Sequence, residues 1–546
     1  MTATAAPESP PAGGPLVGTG TLVRFALRRD RVRLPVWLAL LTLTPALSVA
    51  SFQSTYPEPA DREAAAETMR SPAGLAMTGP ERYLDQGYDL GAMTSHQLIG
   101  IFALAVGLMT VLTVVRHTRV EEESGRAELV RSGVLGRHAQ LASALLVAGA
   151  ASLLLGALLA GLFAAMGGSD GLTTEGALLY GAVTAAIGLV FTAVAGVTAQ
   201  ITAFSRGASG LGFAVIAAAF ALRSVGDVGP AALSWMSPIG WAQRAYPYLD
   251  NRWWPLLLHL ALTAVLCALA FWLSTMRDLN AGLRPPPPGP PDAHPSLAHP
   301  VGLATRLARG TLIAFGAGGL LFGVMLGSIL SDAEQMLDEI DTLAKEFLLD
   351  GASATEVFAS VALGILAIVA AAAAVATLVR PRAEETEGRA EPLLASGLSR
   401  TAWAGGQLAV ALGGATLVLL ASGLGIGAAG AASTGDASLL PELTAASLAY
   451  APAVWFTGSC ALALFGWFPR AVAAAWALPG YAMAVTFLGE MIDLPDVLRD
   501  LSPLGHVPSV PVAALDWVPL LVLTGLAAGL SWLGMLGLRR RDLDLT

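Results

Sequence analysis

The chain has 546 residues, 55% of them hydrophobic and 13% charged, with a net charge of -9 at pH 7. Soluble globular proteins carry about a quarter charged residues, so the composition excludes that class and predicts an all-α, polytopic membrane protein with no nucleic-acid partner. The net charge itself excludes nothing, because its effect depends on which side of the bilayer each residue occupies.

Residues 1–20 form a Pro/Gly/Ala tract and are expected to be a disordered tail without a cleavable signal peptide, since the first apolar run follows an arginine cluster. In TLVRFALRRDRVR, residues 21–33, helical spacing puts Arg24, Arg28 and Arg31 on one side and Leu22, Val23 and Ala26 on the other. An amphipathic helix lying on the inner leaflet is one reading; a helix docked on a cytoplasmic partner is the other, and the two are compatible. The first apolar span, residues 34–53, is long enough at ~1.5 Å per residue to cross a ~30 Å hydrocarbon core. Residues 54–94 carry acids and turn formers and read as an external loop. Five more spans follow at about 95–115, 139–166, 176–202, 208–222 and 254–276. Before the last of them lies a stretch with Ser237, Pro238 and Gly240 and with Trp235, Trp241, Trp253 and Trp254. Its Pro and Gly break a long helix and its tryptophans suit the headgroup layer, so it reads as an outer re-entrant or surface segment.

Residues 280–300 are a proline-rich cytoplasmic linker of the stiff polyproline type. It joins a first half, residues 21–279, to a second, residues 301–546. The second set of spans is about 310–330, 357–379, 402–432, 443–468, 471–489 and 517–538. Residues 331–350 place Met336, Ile340, Leu343 and Phe347 on one helical face and predict an external amphipathic helix. About twelve spans put both termini on one side, and the side that collects most arginines is assigned to the cytoplasm.

The halves read as tandem repeats of about six helices each. RHTRVEEESGRAELVRSGVLGR at 116–137 and RPRAEETEGRAEPLLASGLSR at 380–400 both interrupt apolar runs, and both contain GRAE. Ser237-Pro238-Ile239-Gly240 returns as Ser502-Pro503-Leu504-Gly505, the Trp253/Pro255 pattern returns at Trp517/Pro519, and Arg277-Asp278-Leu279 returns at Arg541-Asp542-Leu543. All the pairs lie roughly 264 residues apart and in the same order. In each charged loop a Glu precedes an Arg by four residues, Glu122 with Arg126 and Glu385 with Arg389, which supports a helix by about 0.2–0.5 kcal/mol. Gly125 and Gly388 weaken that helix by about 1 kcal/mol, so a bend or a close backbone approach is expected there. A solvated loop is the plainer reading of both stretches.

Fuel chemistry is hard to find in the sequence. A Walker A loop needs a lysine after a glycine-rich turn, and the single lysine, Lys345, lies in the external stretch. Proton-driven carriers place ionisable groups inside the membrane despite their cost. The predicted spans hold none away from their ends except His259, which reads as a packing residue. Cys267 and Cys460 lie in apolar runs at non-corresponding places, so neither a disulfide nor a metal site is expected. No catalytic motif stands out.

EEESGRAELVRSGVLGR, its copy, the SPIGW segment and the LRRDRVRLPVW stretch together resemble the type-2 ABC exporter permeases of actinobacteria, in particular the fused double-length permeases described as exporters of polyketide antibiotics. The resemblance extends over nearly the whole chain. It implies a permease without catalytic residues or cofactors of its own, in a bacterial cell membrane with cytoplasmic termini, driven by two copies of a separate ABC ATPase subunit that holds ATP and Mg. It implies that the loops are coupling helices, with Glu121, Glu122, Glu123, Gly125, Arg126 and Glu128 in one and Glu384, Glu385, Gly388, Arg389 and Glu391 in the other. Arg24, Arg28 and Arg31 would belong to a connecting helix, of which the second half keeps only Arg306 and Arg309. Movement of both loops would open the outer Ser-Pro segments and release a hydrophobic or amphiphilic substrate along a path between the halves. An ion-coupled carrier, or a membrane scaffold that recruits an ATPase, are the alternatives.

Overall fold

The structure is a computed structural model that describes residues 14–85, 87–131, 133, 135–168, 171–278, 281–284, 289–332, 353–488 and 495–542. The chain packs as two compact units, Met1–Gly289 and Pro290–Thr546. Among the described residues the elements are helices, eleven of them long and apolar enough to cross a membrane, as expected of an all-α polytopic membrane protein. A helix satisfies its own backbone hydrogen bonds, which lipid cannot do.

In the first unit an amphipathic helix α1 (Thr19–Arg29) turns at Asp30 into the first span α2 (Arg33–Thr55). Residues expected to be a loop are largely helical, with α3 (Pro59–Met69), α4 (Pro72–Thr78) and a 3-10 turn (Glu81–Leu84) before the second span α5 (Leu90–His117). A buried cluster of Ala65, Ala66, Leu75, Tyr83, Leu84 and Met93 holds them together, an apolar content diluted in the sequence by surface acids. Two short helices follow, α6 (Arg119–Glu123) and α7 (Arg126–Arg131). The spans α8 (Ala139–Ala165) and α9 (Thr174–Ile201) come next. They touch backbone to backbone, a Cβ added at Gly156 lying 2.4 Å from the Gly181 carbonyl oxygen, the small-residue contact expected where lipid gives helices no hydrophobic drive to associate. α10 (Ser205–Val228), the short α11 (Ala231–Ser234) and α12 (Pro238–Gln243), and the last span α13 (Pro255–Thr275) complete the unit.

After a 3-10 turn, Pro295–Ala298, the second unit has one continuous α-helix, α14 (Pro300–Gly327), where the first unit has two. α15 (Ala354–Thr386), α16 (Ala390–Ala395), α17 (Arg400–Thr434), α18 (Leu439–Leu448) and α19 (Ala451–Trp467) follow. The expected span at 471–489 is not one long α-helix. It is a 3-10 segment, Pro469–Trp476, running into α20 (Ala477–Leu488). α21 (Asp496–Arg499) and the last span α22 (Trp517–Arg540) end the unit. The predicted amphipathic helix at 331–350 lies almost wholly outside the described residues, as do residues 1–13 of the tail and the prolines at 285–288. Part of the proline-rich linker is not a free tether: the amides of Leu283 and Arg284 donate to the Gln200 and Ile201 carbonyls at the end of α9, at 3.1 and 3.0 Å.

Candidate functional site: two charged elbows

Both GRAE stretches fold into the same elbow. α5 breaks at Thr118 into α6, and the chain turns through Gly125 into α7. α15 turns through Gly388 into α16. Gly125 and Gly388 each have φ of +71°, in the left-handed region that costs other residues roughly 1–2 kcal/mol, and open space surrounds the position of a Cβ at both. The glycines are there for the backbone turn, not for a close neighbour.

That turn overturns the expected Glu/Arg pairs. With a left-handed residue between them, Glu122 and Arg126 no longer share a helical face, and neither do Glu385 and Arg389. Glu122, 4% exposed, turns inward instead. It accepts from Arg277 at 2.7 and 2.9 Å and from Arg119 at 2.8 Å. Glu385, 0% exposed, accepts from Arg541 at 2.6 and 2.8 Å and pairs with Arg382 at 3.4 Å. Arg277 follows the last span of the first unit and Arg541 the last span of the second. One buried carboxylate therefore fastens the end of the second span to the end of the last, twice, with the planar two-point fit that guanidinium and carboxylate allow. Sequence reasoning passed over Arg119, Arg277, Arg382 and Arg541. The signal was present in the repeated Arg-Asp-Leu, which marks the partner of each elbow glutamate.

The rest of the predicted site divides by exposure. Glu123, Arg126 and Glu128 in the first elbow and Arg389 and Glu391 in the second are exposed. Arg126 lies 3.3 Å from Glu121, and Arg389 pairs with Glu387. Glu384, buried, lies 3.3 Å from Arg380. Glu121 pairs with Arg29 at the end of α1, and the next residue, Asp30, is 1% exposed and contacts Arg116 at 2.9 Å and His117 at 2.6 Å. Burial opposes ionisation of Asp30, but the His117 hydrogen bond and the His117, Arg116 and Arg33 charges outweigh it and hold the carboxyl below its usual range. α1 is thus clamped to the first elbow along its inner edge while Arg24, Arg28 and Arg31 point away, exposed. Beside Glu122 lies a cavity of about 200 Å³ lined by Thr118, Gln140, Gln200 and Ser274 among others, so the ion pair sits in polar rather than apolar surroundings.

At the other end of α5, Ser237 caps α12: its hydroxyl accepts from the amides of Ile239 and Gly240 at 3.1 and 3.4 Å and donates to the Ala219 carbonyl at 2.6 Å. The Pro238 carbonyl faces His259 Nε2 at 2.9 Å. Gly240 packs against Ser234, whose carbonyl oxygen lies 2.1 Å from an added Cβ. Ser502, Pro503 and Gly505 instead form the start of a 3-10 turn, Pro503–His506, in which Ser502 makes no capping bond. The expectation that the spans are empty of ionisable groups is corrected here. α10 runs past residue 222, so Arg223 and Asp227 belong to it, both side chains 0% exposed and 3.7 Å apart, with Arg244 2.9 Å from Asp227. Arg223 also donates to the Met77 carbonyl at 3.1 Å. His96 in α5 is likewise buried, 3.0 Å from the Thr78 hydroxyl and 2.9 Å from that of Tyr88. Each such group has a polar partner, which is the condition for burying it.

Comparison with known proteins places this architecture. The family model described as "Multidrug efflux system permease Rv1217c, C-terminal domain" matches residues 20–273 and 297–539, one stretch in each unit. The multidrug efflux system permease protein Rv1217c of Mycobacterium tuberculosis is 41% identical over 542 residues, covering 98% of this chain and 97% of its own. The chain, with its paired elbows and long apolar helices, belongs to the family of multidrug efflux system permeases represented by Rv1217c.

Proposed function

We propose that the chain is the membrane subunit of an ABC-type exporter of hydrophobic or amphiphilic compounds, driven by two copies of a separate ATPase that press on the two elbows from the cytoplasm. The observation that carries this reading is the repeated clamp. A push on the exposed residues Arg126 and Glu128, or Arg389 and Glu391, passes through Glu122 to Arg277 and through Glu385 to Arg541. Each push thereby reaches two spans at once, and a two-state rigid-body change of the helices follows. ATP and Mg are the partner's; this chain's residues receive and transmit the displacement. The relative's description as a multidrug efflux system permease supports efflux of more than one compound.

Sealed vesicles containing the chain test the reading. Export of an amphiphilic dye is expected only with ATP and the partner, and Arg126→Glu together with Arg389→Glu should lower export at least tenfold while ATP hydrolysis continues. Export that follows a proton or sodium gradient without the ATPase would favour an ion-coupled carrier, for which the buried Arg223, Asp227 and His96 would be the groups to probe. Complex formation without flux would mark a scaffold.

A further inference from the structure

The outer face of α1 carries charge that no described residue of its own unit answers. Arg24 and Arg28 lie one turn apart, Arg31 follows in the turn after the helix, and all three are exposed. None makes an ion pair with another described residue, whereas Arg29, between them, is held by Glu121. Exposed apolar side chains flank the stripe: Phe25 is 55% exposed, Leu27 48% and Val32 67%. The chain enters its first span at Arg33, with only three residues between it and the end of α1. That short connection keeps α1 at the membrane boundary, where phosphates and acyl chains meet.

The geometry points to a binding surface for anionic phospholipid headgroups on α1, with Arg24, Arg28 and Arg31 taking the phosphates and Phe25 and Leu27 entering the acyl boundary. Charge complementarity and the forced position at the bilayer surface favour a lipid over a soluble protein, because a guanidinium stripe bordered on both sides by apolar groups matches an interface that is itself charged outside and apolar inside. The consequence reaches the candidate site. On the opposite edge Arg29 holds Glu121 of the first elbow, and Asp30 holds Arg116 and His117 just before it, so a bound headgroup braces that elbow. In the second unit the same end offers only Arg306 and Arg309, both exposed, at the start of α14.

The test needs no ATPase and no transported compound, so its failure is separable from failure of the exporter reading. The full-length chain in a neutral detergent is titrated with phosphatidylglycerol and with phosphatidylcholine, and retained lipid is counted by native mass spectrometry. Each arginine near an anionic surface contributes about fivefold, so Arg24→Gln, Arg28→Gln and Arg31→Gln together should weaken phosphatidylglycerol retention about a hundredfold and leave phosphatidylcholine unchanged. Lysine at the same three positions should retain most of the affinity, and raised salt should weaken wild-type retention; these two measurements stand even if the glutamine variant fails to insert. In nanodiscs containing phosphatidylglycerol, amide exchange over residues 119–128 should slow relative to neutral nanodiscs. Equal retention of both lipids, salt-insensitive retention, or competition by free glycerol phosphate would overturn the assignment. Unchanged lipid retention with loss of a soluble partner would transfer the stripe to that partner.

Discussion

The two units carry the same clamp in different settings, and the difference shows which parts of the elbow are mechanical and which are surroundings. In both, a glutamate one turn before the left-handed glycine grips the arginine after the last span. In the first unit that carboxylate also holds Arg119, a guanidinium 0% exposed that donates to the Ala281 carbonyl at 3.0 Å, and a separate helix α1 braces the elbow from outside. In the second unit the extra arginine, Arg382, is 17% exposed and sits at 3.4 Å, and Arg380 reaches the Leu307 carbonyl of the continuous α14. The clamp is repeated; the ion pairs of the brace are not, a backbone carbonyl of α14 standing in the second unit where carboxylates stand in the first. The first elbow is accordingly expected to be the stiffer of the two.

The largest expected effect breaks this comparison if it fails. Removing one member of a buried ion pair leaves the other unanswered and costs about 3–5 kcal/mol. Glu122→Gln strands two guanidiniums, but the polar cavity beside them lowers the cost to about 3 kcal/mol. Glu385→Gln strands Arg541 and Arg382, 15% and 17% exposed, and water can reach both, so about 1–3 kcal/mol is expected. Thermal denaturation in detergent should show the larger drop in Tm for Glu122→Gln. Equal drops would mean that the two clamps are energetically the same despite the different exposure of their arginines.

The far ends sharpen the contrast. Gly240 has the Ser234 carbonyl oxygen 2.1 Å from an added Cβ, whereas a Cβ added at Gly505 meets only the Arg499 carbonyl oxygen, at 3.8 Å, among the described residues. Gly240→Ala should cost about 1–3 kcal/mol through overpacking, and Gly505→Ala less than about 0.5 kcal/mol. Chemical denaturation of the two variants side by side checks this. A comparable loss in both would mean that the second Ser-Pro segment is as tightly packed as the first.

What the sequence made legible follows from where the information lies. Hydropathy located the spans, since twenty apolar residues have few alternatives in lipid. The glycine bends were legible because left-handed backbone has one residue of choice. The partner of Glu122 was not. Arg277 lies beyond four intervening spans, and nothing local distinguishes Arg126, four residues away in a helix that the glycine interrupts, from Arg277, which closes against it in three dimensions. Arg223 and Asp227 were misplaced for the same reason. A charge at the edge of an apolar run reads as the end of the span, and only the packing of α10 against α4 and α12 brings Met77 and Arg244 close enough to bury it. The break at 469–476 escaped notice because 3-10 and α-helix share an apolar composition.

That break has a local cause, and it supplies the smallest and sharpest prediction. α10 begins at Ser205, whose amide and hydroxyl both donate to Glu123 at 2.6 Å, so an exposed carboxylate answers the unsatisfied amides and the positive end of the helix. At the matching positions of the second unit stand Pro469, which has no amide to donate, and Thr386, which has no carboxylate to accept. Both sides of the contact are missing together, and the chain starts with an eight-residue 3-10 segment, longer than such segments commonly run. Glu123→Ala should cost about 0.5–1 kcal/mol and speed amide exchange at residues 205–208 severalfold without altering insertion. Thr386→Glu with Pro469→Ser should do the reverse, slowing exchange over 469–476 as the segment tightens into α-helix. If the double substitution leaves that exchange unchanged while Glu123→Ala loosens α10, the 3-10 segment is held by its packing against α15 and not by the lost cap, and the asymmetry of the two units lies in their cores instead of at this helix start.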